Sequence, residues 1–352
     1  MKKIVLFLFF TSLIVSCSMF KTTAQESNNT TTSKNKFTKN ISIDLATNYA
    51  STITANDLKK HLYIIASDAY EGRKTGEAGQ KKAAKYLVDY YQSMQISSPN
   101  GLNYLQNIPI EFFKGRSKND SENVLAFIKG TEKPDEIIVI SAHYDHVGIK
   151  DNEIYNGADD DGSGTVAVLE IAEAFKKASK NGNGPKRSVL FINFTGEEIG
   201  LMGAKYYAEN PVLPLAHTVA NLNIDMIGRV DAKYADNPNY IYIIGADKLS
   251  TELHQISENV NTKYTNLIFD YTYNDENDPN RFYYRSDHYQ FAKNNIPIIF
   301  YFNGVHDDYH KPTDTPDKIN YELLAKRAQL VFYTAWELAN KPERLKVDIK
   351  KN

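Results

Sequence analysis

Four apolar runs in this chain each end close to a histidine or an acid. Residues 137–142 lead into His143-Tyr144-Asp145, residues 188–194 into Glu197-Glu198, and residues 219–224 into Asp225. Residues 297–302 are followed, after a loop, by Tyr309-His310. Continuous apolar runs of this length read as strands buried on both faces, the pattern of a parallel or mixed sheet. In open α/β sheets, ligand sites gather beyond the carboxyl ends of the strands. Four such ends, each offering a His or a carboxylate, point to a hard or borderline metal site at one sheet edge.

Helical patterns alternate with these runs. The spacing predicts helices over 57–66 (with Asn56 as cap), 77–94, 164–180, 249–260, 286–293 and 320–338 (capped by Asn320). Residues 68–76 read as a turn-rich loop. Residues 123–129 read as a strand that pairs with the His143 strand as a hairpin across the Gly130–Pro134 turn. Residues 230–285 are polar and read as a loop-rich insertion near the mouth of the site. The expected fold is an α/β three-layer sandwich, with a central mixed, mostly parallel sheet flanked by helices.

The N-terminus reads differently. Lys2-Lys3 precede an apolar run at 4–15 that is too short to span a membrane comfortably. The only cysteine, Cys17, sits where that run ends. This resembles a bacterial lipoprotein signal over residues 1–17, with Cys17 as the lipidated residue; ordinary secretion with cleavage near Ala24 is the alternative. Residues 18–45 are polar and read as a flexible tether. The expected location is outside the cytoplasm, lipid-anchored to a bacterial membrane on its periplasmic or cell-surface side. A single cysteine excludes an intrachain disulfide and any thiolate metal site. A net charge of −2 gives no electrostatic case for nucleic acid as a partner.

Each motif has a plain structural explanation as well. His143 and Asp145, two residues apart on an extended chain, share one face, and Asp145 can fix the His143 tautomer if the fold returns its carboxylate to the ring. Asp159-Asp160-Asp161 precede a helix, where one acid suffices as a cap, and a carboxylate can also bridge two cations. Glu197 and Glu198 suit the first turn of a helix, where neighbours point about 100° apart and so can do different jobs. Asp225 ends an apolar strand and needs a partner, either a cation or an Arg or Lys. His306 and His310 are both available in the last motif, and spacing does not choose between them.

Together, His143-x-Asp145, Gly157-Ala-Asp-Asp160, Gly196-Glu-Glu198, Asp225-Met-Ile-Gly228 and Tyr309-His-x-x-x-Asp-Thr315 resemble the M28 metallopeptidases, co-catalytic zinc aminopeptidases and related carboxypeptidases. The segment from Leu62 to Arg73 resembles that family's opening segment, and the likeness extends to about Ala339. The resemblance implies His143, Asp160, Glu198, Asp225 and His310 as ligands of two Zn2+ ions, with Mn2+ or Co2+ as alternatives. Asp160 would bridge the ions, Glu197 would be the general base, Asp145 would orient His143, and Tyr309 would polarise the scissile carbonyl. Ser286-Asp287-His288 resembles a recurrent family segment near the substrate cleft, though a helix cap at Ser286 explains it equally well. The implied activity is removal of N-terminal residues from peptides by a zinc-activated water. The same fold also serves carboxypeptidases, for which Arg281 and Arg285 offer a carboxylate clamp, as well as glutaminyl cyclases and non-catalytic receptor-like domains. Residues 46–340 would form a single catalytic domain, since 95–122 is too short for a protease-associated insertion, and 341–352 a polar tail.

Overall fold

The computed structural model describes residues 44–101 and 103–349. The signal segment, Cys17 and all but the last two residues of the tether lie outside the described residues. Among the described residues no helix is long and apolar enough to cross a membrane.

The four apolar runs form strands β3 (Lys133–His143), β6 (Arg187–Phe194), β7 (Thr218–Ile224) and β10 (Ile298–Phe302). They are neighbours in the order β6-β3-β7-β10, and every pair among them is parallel, so their carboxyl ends share one edge. The sheet has eight strands. On one side it continues through β2 (Ser121–Ile128) and β1 (Leu105–Ile108), and on the other through β8 (Tyr240–Ile244) and β9 (Ile268–Asp270). A small hairpin, β4 (Gly148–Lys150) with β5 (Glu153–Tyr155), stands apart from it.

Alternate side chains along the strands feed two cores. Ile138, Ile140, Val189, Phe191, Leu222 and Ile224 pack with helices α1 (Leu45–Ala50), α2 (Ala55–Ile65), α3 (Ala78–Ser93), α4 (Gly164–Lys180), α6 (Thr251–Val260) and α8 (Tyr321–Asn340). Val139, Leu190, Ile192 and Phe194 pack with α5 (Met202–Glu209) and α7 (His288–Ala292). This is the expected sandwich of helices about a mixed sheet.

Several local expectations are corrected. The strand at 121–128 does not pair with β3, because β6 lies between them, antiparallel to β2 and parallel to β3. The linker between β2 and β3 crosses the start of β6, where Thr131 N–H donates to Pro185 O and Lys133 N–H to Lys186 O. A strand as apolar as β6 needs a neighbour on each side. Thr54, not Asn56, caps α2: its hydroxyl accepts from Asp57 N–H and donates to the Asp57 carboxylate. The segment 230–285 is no mere loop insertion, since it supplies β8, α6 and β9. Arg327 on α8 ties that region down by donating to the carbonyls of Ile227, Arg229 and Tyr240. In the tail, Leu345 is buried and Arg344 donates to the carbonyls of Ala216 and Thr218, so this part is docked. Asn320 caps α8 as expected, accepting from Leu323 N–H.

Candidate metal centre

His143 closes β3, and Asp225 follows β7 directly. After β6 the chain turns at Gly196, whose φ of 69° is a left-handed conformation that glycine takes without strain. Glu197 and Glu198 therefore sit in a turn rather than at a helix start; α5 begins only at Met202. Asp160 lies in the irregular segment Ala158–Ser163 ahead of α4, where its own backbone (φ −99°, ψ 100°) is not helical.

Asp160 stands between two donor groups. Its Oδ1 is 3.3 Å from His143 Nε2, and its Oδ2 is 2.9 Å from His310 Nε2. On the first side, Asp225 Oδ1 lies 3.6 Å from His143 Nε2. On the second, Glu198 Oε2 lies 3.3 Å from His310 Nε2. Glu197 Oε2 is 3.9 Å from His143 Nε2 and belongs to neither carboxylate–imidazole pair as closely. The five residues singled out as ligands thus converge, and the adjacent glutamates face different groups. His306 goes elsewhere: its Nε2 is 3.1 Å from Asp159 Oδ2, and of the two histidines it is His310 that stands beside Asp160 and Glu198.

The segment holding Asp160 is fixed from several directions. Asp314 accepts from the N–H groups of Asp159 and Asp160, and Asp159 in turn accepts from Gly228 N–H. Buried Arg73 donates to the carbonyls of Ile65, Tyr144, Asn156 and Gly157, joining the chain after β3 to the chain before Asp160. The family-like opening segment therefore serves the site chiefly through this arginine, with Asp68 adding a hydrogen bond accepted from Asn156 Nδ2.

Asp145 acts otherwise than expected. His143 Nδ1 is 3.1 Å from the Asp145 carbonyl oxygen, but 3.7 Å from its carboxylate. The carboxylate accepts instead from the Thr75 hydroxyl at 2.6 Å and from Glu197 N–H at 3.2 Å. The main chain orients the histidine, and the side chain positions Glu197.

Two buried groups compete for the same centres. Asp161 stands with His143 and Asp225, and His146 with Asp160 and Glu198, their ligand atoms within 4.8 Å of one another. Asp161 is already engaged: it accepts from the N–H groups of His143, Gly164 and Met226. His146 has no such partners. Its ring is buried without a hydrogen bond, and Nδ1 lies 2.7 Å from Glu198 Oε1 in an orientation that forms none. Reading the sequence passed over His146, although it is the next residue after the His143-x-Asp145 motif. It also passed over Asp287 as an individual residue, whose two oxygens are buried and unpaired. Ser286 is not a helix cap; its hydroxyl accepts from Asn223 Nδ2 on β7.

The charge balance shows what the site requires. Burial alone would lower the His143 pKa, yet Asp225 and Glu197 hold it well above the usual imidazole range. Burial likewise opposes ionisation of Asp160, but the His143 and His310 imidazoles beside it keep it well below the usual carboxylate range. Burial pushes the His310 imidazole down, and Asp160 and Glu198 more than offset this, raising it to about 10. So many acids draw positive charge onto any group able to carry it. His143 Nε2 and Glu198 Oε1 are buried and make no hydrogen bond. Divalent cations fit this set of imidazole and carboxylate donors, supplying both the missing charge and the missing partners. Glu197 differs: burial first, then Asp225 and Glu198, push its carboxyl well above the usual range despite His143. Burial also raises the Tyr309 phenol far above its ordinary value, so it keeps its proton beside the centre.

Residues 123–335 match Peptidase family M28. The chain is 28% identical over 294 residues to a probable leucine aminopeptidase of Trichophyton verrucosum, covering 82% of this chain and 74% of that one. Among solved structures it is similar to the LapA aminopeptidase of Legionella pneumophila, with a TM-score of 0.66 and 22% identity over 85% of this chain and 74% of that one. It is also similar to a zinc aminopeptidase of Bacillus subtilis, with a TM-score of 0.63 and 18% identity over 85% of this chain and 99% of that one.

Proposed function

The chain belongs to peptidase family M28, and from that premise we propose that it is a dinuclear zinc aminopeptidase removing N-terminal residues from peptides. The observation that carries this reading is Asp160, whose two oxygens face two different imidazole–carboxylate pairs. His143 and Asp225 would hold one ion, Glu198 and His310 the other, and Asp160 both. A zinc pair of this kind polarises a carbonyl and lowers the pKa of a water towards neutrality.

The protein's own groups divide the remaining work. Glu197, outside both pairs, accepts the proton of the attacking water and returns it to the leaving amine. Its Oε2, 3.9 Å from His143 Nε2, is close enough to the centre for that role and is claimed by neither imidazole–carboxylate pair. Asp145 fixes where Glu197 stands through its main-chain N–H. Tyr309, stacked on His310 with ring centroids 3.9 Å apart, presents a protonated hydroxyl able to donate to the carbonyl oxygen as negative charge develops.

The test compares leucine p-nitroanilide with its N-acetyl counterpart. The free-amine substrate is expected to be hydrolysed and the blocked one spared. A chelator should abolish turnover, and added zinc should restore it. Equal cleavage of both substrates, or full activity after exhaustive chelation, contradicts the reading.

The proposal extends to the N-terminus, with Cys17 lipidated and residues 18–45 tethering the domain to a membrane outside the cytoplasm. The basic Lys2-Lys3, the short apolar run and the single cysteine at its end support it. Intact mass of the mature protein from a bacterial membrane fraction should match a chain starting at acylated Cys17. A chain starting near Ala24 without lipid rules the anchor out.

A further inference from the structure

The chain has eight arginines, at 73, 116, 187, 229, 281, 285, 327 and 344. Six donate hydrogen bonds to carbonyls or carboxylates: Arg73, Arg187 and Arg327 in the interior, and Arg116, Arg229 and Arg344 nearer the surface. Arg281 and Arg285 do not. Among the described residues, neither guanidinium makes a hydrogen bond or an ion pair, and each lies over an aromatic ring. Their surroundings separate them. Arg281 lies over Tyr284 and lines a tyrosine-rich hollow that contains no residue of the metal centre. Arg285 lines the cleft that also contains Asp160, Glu197, Asp225, Tyr309 and His310.

Arg285 is well placed and uncommitted. Its N–H donates to Phe282 O, and its guanidinium lies 4.8 Å from the centroid of the Phe282 ring. The next residue, Ser286, accepts from Asn223 Nδ2, which lies on β7 two residues before Asp225. Tyr289 N–H donates to Ser286 O, and His288 Nε2 contacts Tyr283 O at 2.9 Å. The base of the Arg285 side chain is therefore held to the strand that carries Asp225. The acids sharing the cleft are turned to other partners: Asp160, Glu197 and Asp225 all face His143, and Asp160 also faces His310. A guanidinium is a planar fork of donors that matches a carboxylate, and stacking on a ring limits its orientations without using those donors.

We propose that Arg285 is the carboxylate-recognising residue of the cleft and makes the enzyme selective for anionic peptides. The inference rests on the aminopeptidase reading and narrows its substrate class. The carboxylate has two possible sources: an acidic first side chain, or the free C-terminus of a dipeptide.

The experiment compares the zinc-loaded wild type with Arg285→Met, which keeps an unbranched stem over Phe282, and with Arg285→Lys. One arm measures kcat/KM for glutamate and glutamine α-p-nitroanilides. The other measures Leu-Gly and Leu-Gly amide. Wild type is expected to favour the anionic member of one pair by about tenfold or more, as for a charge-assisted hydrogen bond. Arg285→Met should erase that ratio chiefly through KM, and Arg285→Lys should restore part of it. Because the ratio is the readout, a general loss of turnover does not imitate the effect. Loss in the anilide arm assigns the side-chain carboxylate, and loss in the dipeptide arm assigns the C-terminal one. Ratios near one in wild type, or ratios unchanged in Arg285→Met, overturn the proposal. Turnover of leucine p-nitroanilide tests the aminopeptidase reading separately. Should no substrate be cleaved, calorimetric titration of both proteins with glutamate and with Leu-Gly still decides the point. Tighter binding to wild type of either ligand supports the proposal, and equal binding of both overturns it.

Discussion

Replacing Glu197 with Gln is expected to lower kcat by roughly 10²–10⁴-fold, the usual contribution of a positioned general base, while zinc content stays at the wild-type level. The substitution keeps the side chain's size and removes only its ability to take a proton. The main-chain N–H of residue 197 still donates to Asp145, so the turn keeps its anchor. Glu197 Oε2 is the most distant of the carboxylate oxygens around His143 Nε2, at 3.9 Å against 3.3 Å for Asp160 and 3.6 Å for Asp225. That distance separates the base from the ligands. Neighbouring Glu198 sits 3.3 Å from His310 instead and is expected to lose metal when replaced. Steady-state kinetics alongside elemental analysis checks the pair of effects. A Glu197→Gln enzyme turning over near the wild-type rate refutes the assigned base, and one that has lost zinc makes Glu197 a ligand.

The metal-bearing edge could be read from sequence because β3, β6, β7 and β10 are buried on both faces. Such strands write themselves as unbroken apolar runs, and parallel pairing puts their ends together. The flanks were harder. β8 is a short aromatic and β-branched run, Tyr240-Ile-Tyr-Ile-Ile244, set among polar loops, and its role in the sheet comes from pairing with distant β10. The β2–β3 hairpin failed for a related reason: a short linker implies adjacency, but a short linker can also cross one strand. Asp145 and His146 show the limit within the site. Period-two reasoning holds on an extended strand, but β3 ends at His143, so the next residues no longer alternate. Asp145 then offers its carbonyl to His143, and the His146 ring turns back against Glu198. In the string Asp159-Asp160-Asp161 residue type does not separate the acids, and Asp160 stands out only through the resemblance carried by Gly157-Ala-Asp-Asp160. The structure gives the physical difference: Asp161 accepts from three main-chain N–H groups, whereas Asp160 turns its two oxygens to two imidazoles.

Asp160→Ala is expected to empty both sites. Among the described residues Asp160 is the one side chain that reaches both imidazoles, with Oδ1 towards His143 and Oδ2 towards His310. Without it, each group falls to one imidazole and one carboxylate, fewer than the three protein ligands that a catalytic zinc commonly has. The fold itself should survive. Asp314 and Asp161 bind main-chain N–H groups around the turn and do not need the Asp160 carboxylate. Turnover should fall to background, and circular dichroism should stay native.

The central claim is that one carboxylate joins two metal sites, and zinc content per chain tests it most directly. It would be measured by elemental analysis after dialysis for wild type, Asp160→Ala and His146→Ala. Two zinc ions in wild type, fewer than one in Asp160→Ala and two in His146→Ala are the expected results. A single ion in wild type, or a full pair retained without Asp160, contradicts the account; loss of an ion from His146→Ala would transfer the second site from His310 to His146.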